Sequence, residues 1–138
     1  MSAFNIESGV EEYLTGMLFV LRSGLFGSLS KNDYPKKVKG YIDSNYMNHL
    51  SIETIAKSLN LNRKYLSRIF KEKYNITMQQ YIVKKRMIEA KKLLTAGYRV
   101  EETAYMVGYS DNFVFSKAFK KYHGKSPVKF RTKQNYLE

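Results

Sequence analysis

The chain has 138 residues, and its 24 Lys+Arg against 12 Asp+Glu give a formal charge of +12, with room for one or two compact domains. It contains no Cys, which excludes disulfides, thiolate nucleophiles and Cys-based zinc sites. Only nine uncharged residues separate Glu12 from Arg22, and Glu7, Glu11 and Glu12 stand where a signal peptide carries positive charge. The chain therefore reads as soluble and cytoplasmic, with no membrane span.

The charge is uneven. Residues 1–30 carry one Arg and three Glu, a net of −2, whereas residues 31–138 carry a net of +14. A polyanionic partner is the first expectation, although a basic surface also aids solubility, so the positions of the charges decide.

In chain order, Val10, Leu14, Met17, Leu18, Leu21 and Leu25 recur at helical spacing and predict an amphipathic helix over 11–25, followed by a linker from Ser28 to Asp33. Pro35 suits the first turn of a helix reaching about Tyr46, with Val38, Tyr41 and Ile42 inward. Ser51 caps a short helix to Leu59. Asn60-Leu61-Asn62 makes a tight turn, and Asn62 caps a helix from Arg63 to about Tyr74. A long helix is expected over Thr77–Thr95, closed by Gly97, and a short one over Val100–Val107. A turn at Gly108 leads into a helix over Asp111–Tyr122, ended by Gly124, and a last short helix runs from Pro127 to Arg131. Nothing alternates with period two for long, so the fold class is all-α.

The order conceals a repeat. Phe70-Lys71 recurs as Phe119-Lys120, an offset of 49 that also pairs Leu66 with Phe115, Ser67 with Ser116, Arg68 with Lys117, Asn75 with Gly124 and Tyr81 with Phe130. Ala56 and Ala104 pair at an offset of 48, so the second copy has one more residue in its turn. Each copy is a short helix, a tight turn and a longer basic helix: a helix-turn-helix, twice.

In the first longer helix Leu66, Ile69, Phe70 and Tyr74 are expected inward, with Lys64, Ser67, Arg68 and Lys71 opposite and Arg63 beside them. In the second, Phe115, Ala118, Phe119 and Tyr122 are expected inward. Phe113, Ser116, Lys117 and Lys120 face outward there, flanked by Asn112 and Lys121. A single such face is as consistent with solvated lysines as with nucleic acid, but the same face twice at one repeat offset favours double-stranded DNA. Arg and Lys donate to guanine O6 and N7, Asn bridges adenine N6 and N7, and Phe meets the thymine methyl.

The expected base contacts are therefore Arg63, Lys64, Ser67 and Arg68 in the first copy, and Asn112, Phe113, Ser116 and Lys117 in the second. Ser51, Lys71, Lys120 and Lys121 are expected on phosphates, Ser51 beside the free N–H groups that open its helix. The helix over 77–95 is about 28 Å long at about 1.5 Å per residue, enough to hold two reading heads in successive major grooves about 34 Å apart. For Phe113 the competing expectation is a shift of one residue, with Val114 outside and Phe113 in the core.

The run Ala104…Gly108-Tyr109-Ser110-Asp111…Phe115-Ser116-Lys117…Phe119-Lys120-Lys121…Gly124-Lys125-Ser126-Pro127…Phe130-Arg131 resembles the signature of the AraC/XylS transcription regulators. Leu50-Ser51…Ile55-Ala56…Tyr65-Leu66-Ser67-Arg68…Phe70-Lys71, then Tyr81, Arg86, Ala90 and Leu94, is similar to that family's first motif and linker helix. The resemblance spans Tyr34–Arg131. It implies a DNA-binding domain of two helix-turn-helix subdomains (about 35–75 and 99–131) joined by a linker helix, within 34–138. It further implies a preceding sensor domain, a β-barrel that binds a small effector and dimerises, and RNA polymerase as a partner. Residues 1–33 would then be a connector helix and linker, and the chain part of an effector-responsive activator, dimeric through the sensor or the 11–25 helix. The apolar side of that helix equally fits packing on the DNA-binding domain of its own chain. Three positions depart from the family pattern: Asn75 for Gly, Lys117 for Arg, and Phe113 where a polar residue is usual.

Other classes fit less well. His49 and His123 stand alone at helix ends, with no glycine-rich phosphate loop, and Glu101 with Glu102 suits a helix N-terminus better than a catalytic pair. Alkyl-transfer repair, a chemistry found fused to such domains, needs the absent cysteine. No catalytic residue, metal or cofactor is therefore assigned. RNA modules display aromatics on sheets or loops, whereas most aromatics here fall on inward helical faces.

Overall fold

The computed structural model describes residues 33–137, and capping hydrogen bonds from Ser51, Asn62 and Asp111 open three of its helices. The elements are helices α1 (Asp33–Asn45), α2 (Ile52–Ser58), α3 (Arg63–Tyr74), α4 (Met78–Thr95), α5 (Val100–Met106), α6 (Asn112–His123) and α7 (Pro127–Leu137), with no strand among the described residues. The helix expected at 11–25 lies outside them. None of the described helices is long and apolar enough to cross a membrane.

The chain packs as two units. One comprises the described residues up to Ser44 together with Leu50–Met78, and the other Asn45–His49 together with Gln79 onward. In the first, α2 packs on α3. Val38 and Ile42 of α1, Ile55 and Ala56 of α2, and Leu66 and Phe70 of α3 are all buried. In the second, α6 packs on α5 and α7, and Met87, Ala90 and Leu94 of α4 join Ala104, Val107, Phe115, Phe119 and Phe130 in one core.

The repeat is visible at the level of single hydrogen bonds. Leu61 N–H donates to Ala56 O and Tyr109 N–H to Ala104 O, both at 2.9 Å. Leu66 N–H reaches Asn62 O and Phe115 N–H reaches Asp111 O, both at 3.0 Å. Ser110, between Tyr109 and Asp111, is therefore the extra turn residue. Asn75 ends α3 at φ 58° and Gly124 ends α6 at φ 86°, so Asn does adopt the left-handed cap that Gly supplies in the second copy.

Two expectations are corrected. The last helix does not stop at Arg131 but runs to Leu137, because Thr132–Leu137 contains no Gly or Pro to end it. Tyr122 is not inward: it is 43% exposed. The inward row of α6 steps by four residues from Phe115 to Phe119 to His123, whose rings lie 5.8 and 4.5 Å apart in turn, and His123 Nε2 meets Met87 O at 3.0 Å. Tyr122 lies about 60° from Phe119 and about 100° from His123 around the helix, at the edge of that row.

One repeat pair differs in chemistry. Ile55 in α2 corresponds to Thr103 in α5, which is fully buried with Oγ1 lacking a hydrogen-bond partner among the described residues. Burying an unpaired hydroxyl costs about 1–3 kcal/mol. Thr103→Val keeps the shape and removes the hydroxyl, so urea unfolding should show a gain of about 1 kcal/mol. A loss would mean that the hydroxyl is paired in solution.

Candidate nucleic-acid interface

Each longer helix begins at a side-chain cap that fixes its first turn. Asn62 Oδ1 accepts from the N–H groups of Lys64 (2.8 Å) and Tyr65 (3.3 Å). Asp111 Oδ1 accepts from those of Phe113 (2.7 Å) and Val114 (3.1 Å). The residues just inside each cap project from a rigid turn rather than from a loop.

In the first copy Arg63, Lys64, Arg68 and Lys71 are exposed and Ser67 is half-buried. Together with Glu72 and Thr77 they line one open groove. Arg68 carries two contacts of its own. Its Nη1 lies 3.1 Å from Glu72 Oε1, and its guanidinium sits 5.2 Å from the centre of the Tyr65 ring. Glu72 and Tyr65, which lie outside the expected contact residues, stand at helical spacing from Arg68.

The second copy presents a different surface. Phe113 is 71% and Val114 51% exposed. The one-residue shift is thereby ruled out, since Phe113 is not core and both side chains face outward. Lys117 Nζ lies 5.4 Å from the centre of the Phe113 ring, a cation–π contact. Asn112, Lys120 and Lys121 are exposed and Ser116 is half-buried.

Ser51 caps α2, as expected. It is half-buried, and its Oγ accepts from Thr54 N–H at 3.4 Å. In the corresponding place α5 is opened by Glu102, which accepts from Arg99 N–H at 2.9 Å. That backbone bond, reinforced by the Arg99 charge, holds the Glu102 carboxyl below the ordinary value.

Arg86 supports the second copy from behind. Its Nε donates to Tyr46 O (2.7 Å) and Nη2 to Asn48 O (2.9 Å), and its guanidinium lies 5.3 Å from the centre of the Tyr109 ring. Burial lowers its pKa, and Tyr109 works in the opposite direction. Gly108 follows α5 at φ +105°, and a Cβ built there would stand 3.1 Å from the Arg86 guanidinium. Arg86 and Gly108 thus set the turn that leads to Asp111 and α6.

Two capped helices, each behind a short helix and a tight turn and each exposing the residues of its first turns, define a tandem helix-turn-helix DNA-binding domain. A family model described as a helix-turn-helix domain matches residues 55–133. The chain is 44% identical over 103 residues to the Msm operon regulatory protein of Streptococcus mutans, covering 74% of this chain and 37% of that protein. It is 42% identical over 92 residues to the raffinose operon transcriptional regulatory protein RafR of Pediococcus pentosaceus, covering 66% of this chain and 33% of the relative. The C-terminal domain of AraT, a response regulator from Geobacillus stearothermophilus, superposes with a TM-score of 0.70 at 33% identity over 72% of this chain and 84% of that domain. The chain belongs to the AraC/XylS family of helix-turn-helix transcription regulators. It spans about a third of the length of the two curated relatives.

Proposed function

We propose that this chain reads a specific double-stranded DNA sequence by placing α3 and α6 in successive major grooves of one duplex. The observation that carries the reading is the repeated outward face. Arg63, Lys64, Ser67 and Arg68 on α3, and Asn112, Phe113, Ser116 and Lys117 on α6, stand in the first turns, where base edges are reached. Lys71, Lys120 and Lys121 stand in later turns at phosphate height, and Ser51 contributes its cap region to a phosphate. The chain serves as the DNA-binding part of an effector-responsive operon activator that works in the cytoplasm with RNA polymerase, as a binding protein rather than an enzyme. Relatives named for the msm and raffinose operons, and a 33% identical lactose operon transcription activator of Staphylococcus xylosus, support that role. Dimerisation belongs to the sensor or to the 11–25 segment. Selection from a random duplex library, followed by competition with random DNA and RNA, tests the reading. One enriched motif bound far more tightly than either competitor is expected; equal affinity for all three overturns it.

Two residues separate the kinds of contact. Lys71→Ala should weaken every duplex alike and flatten the slope of log K against log salt by about one unit. A loss confined to the selected motif would assign Lys71 to a base instead. On α6, Phe113 exposes a large apolar ring that the thymine methyl can cover. Replacing thymine by uracil in the second half-site removes that methyl alone, and wild-type affinity should fall about fourfold, the worth of one buried methyl. The Phe113→Ala variant should bind both versions equally. If the wild type does so too, Phe113 touches no thymine.

A further inference from the structure

Resting on the DNA-reading role above, we propose that Glu72 is a positioning and specificity-determining residue that holds the Arg68 guanidinium ready for one base pair. Glu72 is the sole acid in α3, on a helix that otherwise presents Arg63, Lys64, Arg68, Lys71 and Lys73.

Helix stability does not account for it. A carboxylate in the last turn faces the negative end of the helix dipole. Arg preceding Glu by four residues is also the weaker order for such a pair. The pair is exposed, with side chains 60% and 61% accessible, so it adds little to folding. In the second copy the positions of Arg68 and Glu72 are taken by Lys117 and Lys121. The acid is therefore present where the reading cation is an Arg and absent where it is a Lys.

Geometry supplies the role that stability does not. Tyr65 lies against the guanidinium at 5.2 Å and Glu72 meets Nη1 at 3.1 Å, so the side chain is held on two sides. A free Arg samples many rotamers and settles on the nearest phosphate. One fixed in this way loses less freedom when it docks. Guanidinium carries five N–H donors, and the edge not engaged by Glu72 remains for guanine O6 and N7. The same carboxylate repels phosphate oxygens, so a docking that slides Arg68 off its base brings Glu72 towards the backbone. Glu72 thus supports the correct register and opposes the wrong ones.

Two substitutions separate positioning from charge. Glu72→Gln removes the charge; Glu72→Asp keeps it but withdraws the carboxylate by one methylene. Base preferences of both, of Arg68→Ala and of the wild type are read by selection from the same random duplex library, with affinity for random-sequence duplex measured alongside. In Glu72→Gln and Glu72→Asp, preference should fall about tenfold at the one base pair that Arg68→Ala also relaxes. Affinity for random duplex should rise in Glu72→Gln and stay unchanged in Glu72→Asp. Intact preferences in both Glu72 variants, with Arg68→Ala still relaxing its base pair, would overturn the proposal and leave the DNA-reading role standing. If Arg68→Ala relaxes no base pair, base reading by Arg68 fails and the positioning role with it. Loss of helical circular dichroism in both Glu72 variants would make Glu72 a folding residue and also overturn the proposal.

Discussion

Replacing Arg86 by Leu is expected to destabilise the unit that holds α4 to α7 by about 3 kcal/mol. Arg86 donates to Tyr46 O and Asn48 O, and Leu leaves both carbonyls without a donor. Hydrogen bonds from charged groups contribute about 1.5–3 kcal/mol each, with part recovered when water reaches the vacated carbonyls. The melting temperature should fall by roughly 10 °C or more. Arg86→Lys keeps the charge but lacks the planar fork that reaches two carbonyls at once, so it should recover less than half of the loss.

Gly108 provides the cross-check. At φ +105°, with 3.1 Å to the guanidinium, Ala there is strained twice, by backbone and by contact, at a cost of about 1–3 kcal/mol. With Arg86 already Leu, only the backbone part remains, so the two losses should sum to more than the double variant shows. Additive losses would mean that Arg86 and Gly108 do not share a site. A melting curve for Arg86→Leu that overlays the wild type would show that the two carbonyl bonds carry no net stability.

Arg68→Ala is expected to have the largest effect on binding. Loss of a forked guanine contact should cost about 1–3 kcal/mol at the selected motif, while random-sequence DNA, held through phosphates, should lose far less. Arg63, Lys64 and Lys71 on the same face are exposed and stay in place for phosphate. Fluorescence anisotropy on both duplexes, with circular dichroism as a check on folding, measures the difference. Equal losses on both would make Arg68 a phosphate contact and move base reading in the first copy to Arg63 or Lys64.

The features of this protein that can be read from its residues alone are those whose physics is local. Asn62 caps its helix through N–H groups two and three residues away, a bond legible because it needs no distant partner. Asp111, expected as the first helical residue, makes the same cap one position before α6 begins. The left-handed cap at Asn75 and the inward pairs Leu66–Phe70 and Phe115–Phe119 belong to the same class, and the repeat offset doubled the weight of each. The Arg68–Glu72 and Phe113–Lys117 pairs are also four residues apart, so their signal was present; what spacing alone does not say is which of several cations a given side chain meets. The remaining features depend on contacts between residues far apart in the chain. Arg86 finds its carbonyls 40 and 38 residues away, burial leaves Thr103 Oγ1 without a partner among the described residues, and Tyr122 stays 43% exposed while the adjacent His123 reaches Met87 O. A helical period places a residue on a face, but the elements packed against that face decide whether it is covered, paired or left in water.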